Sequence, residues 1–166
     1  MVFLTLIVIS MVNVSSSDEK IARNSRDKDL AFAAAEAALR DAELYVSGSY
    51  QFPYAVKSIS AFTNTCANAL CDLLDSPATY PKIESLDFFG GSGLGSKSNA
   101  LGTTTGSPLI KGVANQPRYL IEVVNVTNDP MNTVGYEFRI TAQAEGKSTD
   151  TRVTLQELYK PSWMSK

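Results

Sequence analysis

No proline or glycine interrupts this chain before Gly48. A continuous helix from Met1 to Val46 would be roughly 70 Å long at 1.5 Å per residue. A small domain is about half as wide, so one end of such a helix must find a partner other than the chain's own core. The stretch also changes character along its length. Met1 to Val14 is an apolar run, Ser15 to Asp29 is polar, and Leu30 to Ala42 is rich in alanine.

Helix signals persist past the apolar run. Glu19 precedes Arg23, and Glu36 precedes Arg40, each by four residues. That is the favoured orientation for i,i+4 pairs. Phe32, Ala35, Leu39, Ala42 and Val46 recur at heptad spacing and predict one apolar seam for packing against a sheet. Alanine also occupies other faces, at Ala31, Ala34 and Ala38 and at Ala33 and Ala37, and permits close backbone approach from several directions. Gly48, just after Ser47, is a plausible stop.

The apolar run lacks the basic flank and small-residue cleavage site of a signal peptide. Its fourteen residues cover about 21 Å of a hydrocarbon core about 30 Å thick, short for a membrane span. It fits best as the lower part of a longer apolar helix, with the natural start of that helix lying upstream of Met1. Phe3, Leu4, Leu6, Ile7, Val8, Ile9, Met11 and Val12 would then be its membrane or fibre-packing residues.

Histidine is absent and the net charge is -2. The first fact removes histidine general bases, Ser-His-Asp and Cys-His constellations and the commonest metal ligand. The second leaves no electrostatic footprint for nucleic acid. No cofactor motif is present: Gly90-Gly91-Ser92-Gly93-Leu94-Gly95 misses G-x-G-x-x-G and reads as a flexible loop. Asp72 with Asp75, or Glu84 with Asp87, could pair as carboxylates, but no nucleophile accompanies them, and solvated or capping acids are the simpler reading. Cys66 and Cys71 are too far apart for C-x-x-C redox chemistry and too few for a zinc site. A disulfide stapling a small loop in an oxidising compartment is one reading, and two free buried thiols are the other.

From Ser49 to Pro117 the chain is irregular, with a helical turn expected near Val56 to Phe62. The last third reads as strands. Tyr119 to Val126 is rich in β-branched residues. Tyr136, Phe138, Ile140, Ala142 and Ala144 alternate with polar residues, which predicts one buried face. Glu145 to Asp150 is turn-like, and Thr151 to Tyr159 forms another strand with Val153, Leu155 and Glu157 on one face. The expected fold is therefore α+β. A long N-terminal helix packs its C-terminal half against a C-terminal antiparallel sheet whose apolar face needs a cover.

The ordered string Asn24-Ser25-Arg26-Asp27 through Phe32-Ala33-Ala34-Ala35-Glu36-Ala37-Ala38-Leu39-Arg40 resembles the helix of the PilX-type minor pilins of type IV pili. Cys66-Ala67-Asn68-Ala69-Leu70-Cys71 is similar to the small cysteine loop of many such proteins. Pro117 to Glu122 resembles their first strand, and Phe138 to Ala142 with Thr151 to Gln156 resembles the closing hairpin. Pilin precursors carry a basic leader before the apolar helix, whereas Met1 here falls inside what resembles that helix.

The resemblance implies a lollipop of two parts: residues 1–28 as an apolar half-helix that anchors in membrane and fibre, and residues 29–166 as the head. It implies a non-enzymatic, low-abundance pilus subunit that needs no cofactor. Its partners would be the major and minor pilins through the N-terminal helix, the inner membrane before assembly, and a cell-surface or host partner for aggregation or adhesion. It would move from the inner membrane to the pilus fibre on a bacterial surface. A type II secretion pseudopilin is the architectural alternative, although Asn125 to Asn132 offers calcium only Asp129 and several amides. A secreted or periplasmic ligand-binding domain behind a signal peptide is the alternative of a different class.

Overall fold

The computed structural model describes residues 2–47, 59–72, 86–91, 95–128 and 134–161, and for 2–16, 127, 128, 134 and 135 the backbone alone. One helix, α1, runs unbroken over Val2–Val46. It ends where the Ser47 hydroxyl donates to the Leu44 carbonyl at 2.9 Å, which satisfies one of the terminal acceptors a helix leaves open. Gly48 lies outside the described residues. Among the described residues, no helix is long and apolar enough to cross a membrane.

Among the described residues five strands follow: β1 (Leu70–Asp72), β2 (Asn99–Ala100), β3 (Arg118–Asn128), β4 (Val134–Glu145) and β5 (Arg152–Tyr159). The three long strands form an antiparallel meander in the order β3-β4-β5. β1 extends the sheet on the far side of β3 in parallel, Leu70 against Ile121, and β2 pairs antiparallel with the start of β3, Asn99 against Tyr119. The fold is thus an α+β arrangement of one long N-terminal helix and a mostly antiparallel C-terminal sheet. Short 3-10 turns at Ile59–Ala61, Ala67–Ala69 and Gly95–Lys97 punctuate the intervening chain.

Register decides which side chains share a face. Ile121 opposite Ile140, Tyr119 opposite Ala142 and Val123 opposite Phe138 put the large apolar residues of β3 and β4 on the side that meets α1. β5 continues that face with Val153, Leu155, Glu157 and Tyr159. Phe62 stacks on Phe138 with ring centroids 4.9 Å apart, inside the range of favourable aromatic pairs.

The sheet departs from a one-faced pattern. On the face that alternation marks as polar, Thr141, Gln143 and Glu145 are buried, as are Leu120 and Glu122. The segment around Phe88 covers part of this side. Gln143 accepts the Phe88 N–H at 3.0 Å and donates to the Leu86 carbonyl at 3.1 Å. Glu122, fully buried, is held by a two-pronged bond from Arg139, Nε to Oε2 at 2.9 Å and Nη2 to Oε1 at 3.2 Å. Paired cross-strand charges of this kind satisfy a carboxylate that burial alone would penalise heavily.

Candidate functional site

The helix meets the sheet along a stripe of very small residues. Ala31, Ala34, Ala35, Ala38 and Ala42 are buried, and Tyr45 and Val46 close the stripe at its upper end. Alanine has little side chain to keep the backbones apart, so α1 lies close on Ile140, Ala142 and Ala144. Of the residues on the heptad seam, Ala35, Ala42 and Val46 lie in this contact, and Leu39 packs half-buried against its edge. Phe32 does not join it: it stands 47% exposed on the outer side of α1. The seam is rotated toward Ala31, Ala34 and Ala38, because the sheet selects the smallest face and leaves the most apolar residue outside.

Two carboxylates on α1 tie distant parts of the chain to the helix. Asp41 is 2% exposed and lies inside the stripe. One of its oxygens accepts the Gly102 backbone N–H at 3.0 Å, and the other accepts the hydroxyls of Thr105 and Ser107. A turn from the irregular middle of the chain is therefore fastened around one acid. The Tyr119 phenol is buried near this knot, and burial, with the Asp41 charge adding to it, pushes its pKa far up. Lower on the helix, Asp27 accepts the backbone N–H groups of Lys147 and Ser148 in the β4–β5 turn. Bonds from Thr151 and from the Lys147 backbone lower its pKa. A Cβ on Gly146 would come within 2.5 Å of the Asp27 carboxylate, so only glycine fits there. Below Asp27, every side chain from Ser17 to Arg26 is exposed.

Glu19 and Arg23 form the expected pair at 2.5 Å. Arg40 reaches Glu43 at 2.8 Å instead of Glu36. Beyond Glu43, Glu157 on β5 faces the same cleft, of about 490 Å³. Desolvation first, and then the Glu43 carboxyl, raise the Glu157 pKa, and Arg40 opposes them.

Cys66 and Cys71 form a disulfide, and both are fully buried. The bridge closes a tight loop in which Cys66, Asn68 and Ala69 all have positive φ, a conformation that side chains with a Cβ adopt at a cost. The loop delivers Leu70–Asp72 to the edge of β3. Of the possible carboxylate pairs, Asp75 and Glu84 lie outside the described residues. Asp87 bonds Arg152 at 2.8 Å and accepts the Phe89 N–H at 2.9 Å, the work of a structural acid. Within the glycine run, Ser92, Gly93 and Leu94 are outside the described residues. Gly95 is buried where a Cβ would strike the Asp87 carbonyl at 2.1 Å. Asp129 and the side chains of Phe3, Leu4, Leu6, Ile7, Val8, Ile9, Met11 and Val12 also lie outside what is described. Among the described residues, no group of three or more His, Cys, Asp or Glu could hold a metal ion.

Sequence patterning does not single out Asp41, Asp27 or the Glu122–Arg139 pair. The available signals are an acid at position 41 within an otherwise small, apolar helix face, and the place of Asp27, Glu122 and Arg139 in the strings that carry the resemblance.

The arrangement offers surfaces for packing and fastening. Neither curated proteins nor solved structures gave a match. Protein-family models match at both ends of the chain, PilX N-terminal over residues 1–40 and type IV pilus assembly protein PilX C-term over residues 47–161. A long N-terminal helix seated on a C-terminal sheet, together with these matches over nearly the whole chain, means that the chain belongs to the PilX family of type IV pilus assembly proteins.

Proposed function

We propose that this chain is a minor pilin, a low-copy and non-enzymatic subunit of a type IV pilus that supports pilus assembly and pilus-linked aggregation or adhesion. Residues 1–28 serve as the anchor and residues 29–166 as the head. Before assembly the apolar side chains Phe3, Leu4, Leu6, Ile7, Val8, Ile9, Met11 and Val12 sit in the inner membrane. They then transfer to a bundle of similar helices from the major and minor pilins, so little apolar area meets water at any stage. The head stands on the cell-surface fibre, where its outward loops meet other cells or host surfaces.

The observation that carries this reading is the division of α1. Its upper part, from Ala31 to Val46, is seated on the sheet, while Ser17 to Arg26 are exposed along a helix that continues down to Val2. A helix built only to complete its own core would end near Asp27. Immunoblotting of sheared pili tests the proposal, with the chain expected in the fibre fraction at low abundance. Its absence from fibres, together with normal piliation in a deletion strain, would sink it.

A further inference from the structure

We propose that the open edge of β5 pairs antiparallel with β5 of a second copy of this chain, so that two heads share one sheet. β5 ends the strand order β1-β3-β4-β5. The opposite edge is closed: the Thr63 N–H donates to the Leu70 carbonyl at 3.2 Å, and the Thr63 carbonyl accepts the Asp72 N–H at 2.9 Å. At the β4–β5 turn the Gly146 N–H donates to the carbonyl of Thr151, its register partner, at 2.9 Å. Bonded and unbonded pairs alternate along an antiparallel ladder, so Val153, Leu155, Glu157 and Tyr159 turn their backbone groups to β4. Arg152, Thr154, Gln156 and Leu158 turn theirs to the open side, where no other strand lies among the described residues. Free edges are usually blunted by proline, a bulge, shortness or charge. β5 has eight residues and keeps its register with β4 throughout. Its outward side chains from Thr154 to Leu158 are uncharged, and Leu158 is 75% exposed.

Self-complementarity selects a second copy. A twofold axis at Leu155 sets Thr154 opposite Gln156 and Arg152 opposite Leu158, so the outward groups gain partners and no like charges meet. Moving the axis to Gln156 would set Arg152 against Lys160. α1 lies over β4 and β5. With strands about 4.8 Å apart, the two helices then run about 10 Å apart, a packing distance. Leu155 packs with Ala34 and Ala35, which places the axis near that level of the helix. Phe32 stands two turns below Leu39 on the flank toward β5, so the antiparallel helices bring Phe32 of one copy to Leu39 of the other. α1 runs the same way as β5, from Asp27 at the turn to Glu43 beside Glu157. The pair therefore points its two anchors in opposite directions, and it joins copies held on different membranes or fibres; this polarity rests on the anchor reading. Glu157 gates the joint. It shares its cleft with Glu36, Arg40 and Glu43 of α1, has Tyr159 near it on its own strand, and meets Val153 of the second copy. Pairing takes its charge further from water, so it strengthens as pH falls through the carboxyl range.

Leu155→Cys tests the register. A residue on the axis faces its own counterpart across an unbonded pair, with Cα atoms about 4.5 Å apart, a gap that a disulfide spans. The full chain is oxidised in neutral detergent micelles, with the more exposed Gln156→Cys as control. Leu155→Cys is expected to form covalent dimers about tenfold faster than the control. Adding Glu157→Gln should raise that rate about tenfold at neutral pH, roughly threefold for each of the two charges removed, and leave it unchanged in acid. An equal rate in the control, or no gain from Glu157→Gln, would overturn the pairing. Phosphatidylcholine vesicles loaded separately with Leu155→Cys chain should cluster on oxidation, and dimers without clustering would overturn the opposed polarity. Vesicles that take up no chain count against the anchor reading alone, because the dimers in micelles decide the pairing without it.

Discussion

Asp41 on α1 accepts the backbone N–H of Gly102 at 3.0 Å, across 61 residues of sequence. The contact fixes the turn after β2 onto the helix and leaves the acid buried among donors. Asp41→Ala would strand the Gly102 N–H and leave the Thr105 and Ser107 hydroxyls, 3.0 Å apart, with one donor to spare between them. Leaving such groups unpaired costs about 1–3 kcal/mol each at full burial, and partial rehydration of this turn brings the expected loss to about 2–4 kcal/mol. Urea denaturation measures it. Asp41→Asn keeps one acceptor oxygen and should lose about half as much; a loss below about 0.5 kcal/mol in the alanine variant would mean that the turn is held by other means.

The rotated helix seam gives a paired prediction. Ala38 is fully buried against the sheet, and Phe32 is 47% exposed. Ala38→Leu should therefore lower stability by about 1–3 kcal/mol through overpacking, while Phe32→Ala should change it by less than about 0.5 kcal/mol. Thermal melts of the two variants decide the register of the seam. The reverse order would restore the heptad seam through Phe32.

Much of this architecture is legible in the chain. The length of α1, the three long strands and the β4–β5 turn follow from periodicity and from the absence of breakers. The face of the helix that meets the sheet does not. Hydrophobicity ranks Phe32 above Ala31, whereas close packing ranks the smaller residue higher, and only the sheet's shape decides between them. β1 is beyond reach because three residues carry no period, and its pairing with Ile121–Val123 lies some fifty residues away. The buried second face of β4 is hidden for a related reason: Thr141, Gln143 and Glu145 look solvated until the Phe88 segment is laid over them.

Glu157 supplies a pH prediction. Its pKa is raised by desolvation and by Glu43, so the folded state favours its protonated form. The stability it contributes is full below its unfolded pKa and is lost as pH rises through the higher folded value. Glu157→Gln should then stabilise the protein at pH 7, by up to about 1 kcal/mol after allowance for solvent screening. The gain should vanish below the ordinary carboxyl range. Melting temperatures across that pH span check the sign, and a gain that grows with acid would contradict it.

The disulfide gives the fourth expectation. Replacing Cys66 and Cys71 by serine opens a short loop, for which chain entropy alone gives about 2 kcal/mol. Both positions are buried, so two hydroxyls are also placed where sulfur had been. Guanidinium unfolding of the double variant should show at least that loss. Amide exchange in Leu70–Asp72 should quicken more than in β4, since that strand depends on the loop for its place at the sheet edge.

The Asp27 fastening also sets an order of events. Its partners Lys147 and Ser148 are made 120 residues or more after it, late in a chain synthesised from its N-terminus. Until the last hairpin exists, Asp27 lacks these two partners, and the alanine stripe above it lacks the part of its cover that β5 supplies. Long-range closures of this kind are slow relative to helix formation. The rod can form early from local contacts alone, whereas the head closes on it only when the last hairpin has been made.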